Sequence, residues 1–299
     1  MTIAVASGKG GAGKTSMTAA LAASFGKACV VADCDVDAAN GAIALGASLR
    51  ESEPYFAGPG FSIDPAACVA CGACAKTCRF GAVRPRPGEG GYAIVPELCE
   101  RCGACLDRCP AGAVVASEKE AGKLFVSDSR LGARLAHAEL APGEDTSGKL
   151  VRKVRDRADE LAGPEDAVLV DAPPGIGCPV IASLSGTQLV VVVEASHSGI
   201  RDAKRLVELA ASMRRGAVAV INKAGLDPAM DEEARAALRE AGLPLAGEIP
   251  FDPSLRSAEE RGKTWLDVEG EAGCRVRSAV AALRGLIDGL GRKSANLDT

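Results

Sequence analysis

Short apolar runs recur along the chain, separated by amphipathic stretches. The runs fall at residues 3–6, 28–33, 167–171, 188–193, 217–221 and 244–249. Helical spacing fills 14–25, 37–46, 147–162, 200–214, 229–241 and 272–290. Continuous Val/Ile/Leu runs without polar alternation mark strands buried on both faces, and strands alternating with helices imply βαβ units. The pattern predicts an α/β fold, a doubly wound parallel sheet. In the last helix, Val276, Val280, Leu283, Ile287 and Leu290 share one stripe, which is expected to face the core.

The alternation breaks between 54 and 117, a segment rich in Gly, Pro and Cys with no long helical period. It holds a repeat of period 31. Cys68-Val-Ala-Cys71-Gly72-Ala73-Cys74-Ala-Lys-Thr-Cys78-Arg-Phe-Gly81-Ala82-Val83 returns as Cys99-Glu-Arg-Cys102-Gly103-Ala104-Cys105-Leu-Asp-Arg-Cys109-Pro-Ala-Gly112-Ala113-Val114, identical at nine positions. A small α+β module at 54–117, with internal two-fold repetition, is expected inside a larger domain of 1–53 and 118–299.

Composition narrows the chemistry. Only 3% of the 299 residues are aromatic, so the core must be built from Ala, Val, Leu and Ile. A net charge of −4, with no basic cluster, argues against nucleic acid as a partner. No run of about 18 uncharged apolar residues exists, so no membrane anchor is expected. The N-terminus lacks a signal-peptide pattern, which points to the cytoplasm. There thiols stay reduced, and the 12 cysteines read as metal ligands rather than disulfides.

Gly8-Lys9-Gly10-Gly11-Ala12-Gly13-Lys14-Thr15 fits G-x-x-x-x-G-K-[ST] directly after one strand and at the start of a helix. Its glycines let backbone N–H groups turn inward onto phosphate oxygens, and the helix adds its positive end. Gly8, Gly10, Gly11, Ala12, Gly13, Lys14, Thr15 and Ser16 are therefore expected to hold ATP. Lys14 would reach the β- and γ-phosphates and the Thr15 hydroxyl would bind Mg²⁺.

The extra lysine, Lys9, makes this segment resemble the deviant Walker A motif of the MinD/Mrp group of P-loop ATPases (SIMIBI class). In that group the extra lysine acts in trans, across a dimer closed over nucleotide. Two further segments are similar to the group: Val30-Val-Ala-Asp33-Cys34-Asp35-Val-Asp37-Ala-Ala-Asn40 and Val168-Leu-Val-Asp171-Ala-Pro-Pro-Gly175. The resemblance implies that Asp35 orients or deprotonates the attacking water and that Asp33 supports Mg²⁺. It also implies that Asp171 holds a Mg²⁺-bound water and that Gly175 senses the γ-phosphate. Asn222-Lys223 and Pro250-Phe251-Asp252 resemble adenine-side loops. Ser147–Val151 and Glu194–Asp202 look like the ferredoxin-bearing branch of the group. A homodimer, or a heterodimer with a paralogue, is implied.

Cys-x₂-Cys-x₂-Cys-x₃-Cys is the spacing of bacterial two-cluster ferredoxins, in which the fourth cysteine ligates the other cluster. Cys68, Cys71, Cys74 and Cys109 are expected on one [4Fe–4S] cluster, and Cys99, Cys102, Cys105 and Cys78 on the second. Zinc ribbons use Cys-x₂-Cys pairs, not quartets. Arg79 stands where the second repeat has Pro110, without removing a ligand. Of the remaining cysteines, Cys29 and Cys34 read as packing residues and Cys274 has no partner pattern. Cys178, seven residues past Asp171, is either packing or a thiol near the dimer axis, as the similar nitrogenase iron protein implies. His137 lies in a polar helical stretch and reads as surface; His197 falls near the nucleotide edge.

Three functions fit these motifs. One is ATP-gated electron transfer with a redox partner. Another is assembly or carriage of metal clusters for a client protein. The third is a positioning ATPase of the MinD kind. Against the third, the terminal segment 291–299 shows no apolar face for a membrane helix.

Overall fold

A computed structural model describes residues 1–295 apart from 38, 89, 143 and 145–147, with side chains described except at 119 and 291–295. Ala38, Ser147 and the terminal segment 291–299, all used in the sequence reading, thus lie wholly or in their side chains outside the described residues. The chain divides into two compact units, Met1–Glu53 with Lys123–Leu140 and Asp145–Thr299, and Pro54–Gly122 with Ala141–Glu144.

In chain order the strands are β1 (Thr2–Ala6), β2 (Cys29–Asp33), β3 (Ala47–Ile63), β4 (Val83–Pro85), β5 (Tyr92–Ile94), β6 (Val114–Ser129), β7 (Arg134–Leu140), β8 (Ala167–Asp171), β9 (Gln188–Glu194), β10 (Ala217–Ala224) and β11 (Leu245–Pro250). The helices are α1 (Lys14–Phe25), α2 (Gly41–Ala44), α3 (Ala73–Thr77), α4 (Ala104–Asp107), α5 (Gly148–Leu161), α6 (Cys178–Leu184), α7 (His197–Ser212), α8 (Pro228–Glu240), α9 (Pro253–Glu260) and α10 (Gly270–Ala295).

The main sheet runs β11-β10-β9-β1-β8-β2-β7-β6-β3, and the pairs from β11 through to β7 are parallel. Strands β1, β2 and β8 are buried almost end to end, as their unbroken apolar sequences require. Alternate residues (Ile3, Val5, Val31, Leu169, Val190, Val218) join Met17 and Leu21 of α1 and Val276, Val280, Leu283 and Ile287 of α10 in one core. The last-helix stripe predicted from sequence is that inner face of α10.

Three long strands carry no apolar-run signal. Strand β3 is exposed along most of its length, so neither face writes a hydrophobic pattern. At one end of this ribbon the Arg130 N–H donates to Leu45 O, and β6 turns into β7 through Ser129–Ala133. His137 sits within β7, not on a polar helix. It is buried, stacked on Phe125 at 5.1 Å, with Nε2 3.0 Å from Ser127 Oγ. Burial lowers its pKa, opposed by Glu139. The helix expected at 37–46 shrinks to Gly41–Ala44, because Asp33 ties down the preceding loop.

The smaller unit has its own core of Ile63, Cys74, Val83, Ala113 and Val114, with Phe61, Tyr92 and Ile94 against it. Strands β4 and β5 pair antiparallel beside the short helices α3 and α4.

Candidate functional site

The phosphate loop follows β1 and ends where α1 begins at Lys14. Gly11 and Gly13 take φ of 75° and 95°, a region that glycine alone enters freely. Glycine is also required sterically. A Cβ on Gly13 would lie 2.3 Å from Asn222 Nδ2 and 3.1 Å from the Trp265 ring, and one on Gly8 would lie 1.9 Å from Asp202 Cβ. Asn222 Nδ2 donates to Ala12 O at 2.8 Å, so the end of β10 fixes the loop crest.

A cleft of about 800 Å³ opens over this loop. Gly10, Gly11, Gly13, Lys14, Thr15 and Ser16 form its floor; Asp35, Asp37 and Asn40 one wall; Pro173, Pro174, Gly177 and Pro179 another; and Glu259 of α9 lies at its margin. Lys14 is buried. Burial raises the pKa of both Asp35 and Asp171, that of Asp171 to about 6, and the Lys14 charge opposes the rise at each. Asp171 ends β8; its Oδ1 accepts from Thr18 Oγ1 at 3.3 Å, the Thr15 hydroxyl lies close enough to lower its pKa, and among the described residues no hydrogen bond closes on its buried Oδ2. An orphaned carboxylate oxygen beside the Thr15 hydroxyl is a donor set suited to Mg²⁺, a hard cation that takes oxygen ligands. The two oxygens of Asp33 accept from Asp35 N at 3.1 Å and Gly41 N at 2.8 Å, and neither Asp33 nor Asp171 is among the residues lining the cleft. Burial and the neighbouring Asp171 raise its pKa.

Several other residues singled out from the sequence stand away from the cleft wall. Lys9 is turned back onto its own chain, with Nζ 2.6 Å from Glu194 Oε1 and 3.4 Å from Ser196 Oγ. Lys223, at φ 59°, bonds the other oxygen of Glu194 at 2.8 Å. Gly175, at φ 95°, donates its N–H to Ser7 O at 3.3 Å. Asp252 caps α9 by accepting from Ser254 N, and Pro250 closes β11. His197 opens α7, exposed, with Nδ1 3.5 Å from Glu233. Glu194, named in the sequence only as part of the 194–202 segment, joins both lysines and stands at the carboxyl end of parallel strand β9, where ligand sites of such sheets gather.

In the smaller unit, Cys68, Cys71, Cys74 and Cys109 line one cavity with Ile63, Tyr92 and Val114. Cys78, Cys99, Cys102 and Cys105 line a second with Phe61, Phe80 and Ile94. The two repeats share a backbone: φ is 56° at Ala70 and 51° at Arg101, 74° and 75° at Gly72 and Gly103, and 63° and 61° at Gly81 and Gly112. Left-handed residues within turns aim successive N–H groups into one concavity, which favours anions. Backbone N–H groups of Val114, Ala113, Ala111 and Gly112 lower the pKa of Cys109. For Cys78 burial pushes up, but the N–H groups of Phe80, Ala82, Val83 and Gly81 outweigh it and the net shift is down. Arg101 forms a two-pronged ion pair with Glu144. Among the described residues, no three His, Cys, Asp or Glu side chains converge as a site for a single metal ion.

The other cysteines differ from one another. Cys29 and Cys34 are buried, and burial raises both thiols, Cys29 to about 12. Cys178 is exposed at the start of α6 rather than packed beneath it, and Cys274 is exposed on α10. No helix among the described residues is long and apolar enough to cross a membrane.

A glycine-rich loop at the carboxyl end of a parallel-dominated sheet, over a buried lysine and strand-end aspartates, defines a P-loop ATPase. The profile of the CobQ/CobB/MinD/ParA nucleotide binding domain matches residues 3–265, and the chain belongs to that family. An uncharacterised protein of Methanocaldococcus jannaschii is 34% identical over 230 residues, 76% of this chain and 79% of that one. MinD of Pyrococcus horikoshii OT3, solved with Mg-ADP, superposes with a TM-score of 0.58 at 18% identity, covering 96% of this chain and 97% of that one. A chain of the MinC:MinD cell division complex of Aquifex aeolicus gives 0.55 at 20% identity, covering 95% and 96%. At such identities the structural likeness is one of fold.

Proposed function

We propose that this ATPase is a dimeric switch whose nucleotide cycle is coupled to redox chemistry at two [4Fe–4S] clusters. The observation that carries the reading is the division of eight cysteines into two cavities of four, the last cysteine of each repeat lining the cavity of the other. A cubane takes one thiolate at each of four irons, so its ligands need not converge on one point. The N–H groups gathered at Cys78 and Cys109 would stabilise thiolate charge there. Clusters held in these cradles would supply one-electron steps, with a redox protein as partner.

On the nucleotide side, Lys14 would neutralise β/γ-phosphate charge, and Thr15 and Asp171 would position Mg²⁺. Asp35, on the cleft wall and close to Lys14, would orient the attacking water. Lys9 would serve the partner subunit's nucleotide. The similar fold of MinD proteins favours the homodimer and also supports a second reading, a MinD-like positioning ATPase whose cysteine module is structural. Assembly or carriage of clusters uses the same parts, and measured transfer of iron to a client would favour it.

Iron and sulfide analysis of anaerobically purified protein tests the proposal. About eight irons per chain are expected. Cys71→Ser should lose one cluster's iron and its electron paramagnetic resonance signal while ATP binding persists. Zinc without iron would overturn the redox reading and leave the positioning one.

A further inference from the structure

Lys9, Glu194 and Lys223 form a closed charge group of two cations on one carboxylate. Glu194 Oε1 takes Lys9 at 2.6 Å and Oε2 takes Lys223 at 2.8 Å, with side-chain exposures of 34%, 20% and 33% for Lys9, Glu194 and Lys223. The loop beneath is fixed. Ser7 Oγ donates to Lys9 O at 2.7 Å, and Gly8 is packed against Asp202 so closely that no Cβ would fit. The backbone of Lys9 therefore stays in place and its flexible stem does the moving. In this position its ammonium is held by the β9–α7 junction and takes no part in the cleft wall.

We propose that Glu194 is a positioning residue that stores Lys9 in cis between turnovers, and that Lys223 is the fixed counter-charge allowing Glu194 to let it go. The inference rests on the reading that Lys9 serves the partner's nucleotide. Removing one partner of a buried ion pair is costly because it strands a charge. Here, when Lys9 leaves, Glu194 keeps Lys223, so the exchange costs one partly exposed ion pair and no orphaned carboxylate. Glu194 then sets a threshold: the dimer closes only when phosphate charge outbids it.

Two substitutions should act in opposite directions. Glu194→Gln removes the acceptor charge and leaves Lys9 and Lys223 repelling each other, so Lys9 is released. Lys223→Met leaves Lys9 as the sole counter-ion of Glu194, so release becomes harder. Sedimentation of the full-length chain with Mg²⁺ and AMPPNP reads the dimer dissociation constant. Glu194→Gln should tighten the dimer about two- to fivefold, Lys223→Met should weaken it by a similar factor, and Glu194→Asp should restore much of the wild-type value. Lys9→Ala is the control and should not dimerise with AMPPNP. If Lys9→Ala fails to dimerise but Glu194→Gln is no tighter than wild type, storage by Glu194 is overturned and the in-trans reading stands. If both Glu194→Gln and Lys223→Met shift the dimer the same way, the group is only a structural bracket and the proposal falls. If Lys9→Ala dimerises like wild type, the in-trans reading fails, and storage of Lys9 fails with it.

Discussion

Asn222 spends its amide on Ala12 O, one peptide before the glycine that opens α1. An alanine there removes a hydrogen bond worth about 1 kcal/mol net and frees the loop crest. Asn222→Ala should weaken ATP binding by roughly fivefold in calorimetric titration, by loosening the cradle rather than by losing a ligand contact. Lys14→Ala removes the buried charge that faces the phosphates and should abolish binding in the same assay. Gly11, Gly13 and Lys14 are legible in the sequence because positive φ favours glycine at the first two and phosphate charge calls for a cation at the third. Asn222 was legible as a residue but not in its task, since an amide at a strand end writes no spacing rule. At Asp33, for which the family resemblance implies a role in supporting Mg²⁺, each carboxylate oxygen accepts one backbone N–H, a task that no spacing rule announces.

The β6–β7 hairpin illustrates why some elements were invisible. Strand β3 is solvent-exposed on most positions, so nothing in its sequence alternates with a period of two; β7 is largely buried, but Arg134, His137 and Glu139 make its sequence look polar. Parallel strands β1, β2, β8, β9 and β10 are legible because burial on both faces leaves each an unbroken apolar run, with polar residues only toward the strand ends. Burial of His137 gives the hairpin a pH signature. Burial lowers its folded pKa, so as pH falls below the ordinary histidine value of 6.5 the unfolded chain takes up the proton first. Stability from this group is complete above pH 6.5 and is lost on acidification, at up to about 1.4 kcal/mol per pH unit. His137→Gln keeps a hydrogen-bonding group toward Ser127 and removes the titration. Its melting temperature should fall less than that of wild type between about pH 6.5 and 5 in thermal denaturation.

At the scale of the whole molecule, the sequence changes style between 54 and 117, from apolar runs to repeated cysteines, whereas the smaller compact unit is Pro54–Gly122 with Ala141–Glu144. The ends of β3 and β6 are not legible, because each strand runs on past a unit boundary. If the subunits close on nucleotide, Lys9→Ala should bind ATP with near wild-type affinity yet lose most turnover in a phosphate-release assay. Normal turnover would count against a dimeric switch. The chain has a single tryptophan, and Trp265 is buried with its ring behind Gly13 of the phosphate loop. Its indole N–H has no hydrogen-bond partner, so the surroundings of the ring are set by that loop and its neighbours. Light emitted at tryptophan wavelengths therefore comes from one place, within reach of the phosphates. Adding ATP should change its intensity in Asn222→Ala as in wild type, at higher nucleotide concentration, and leave it unchanged in Lys14→Ala. The fold thus carries its own optical gauge of occupancy, readable without a label.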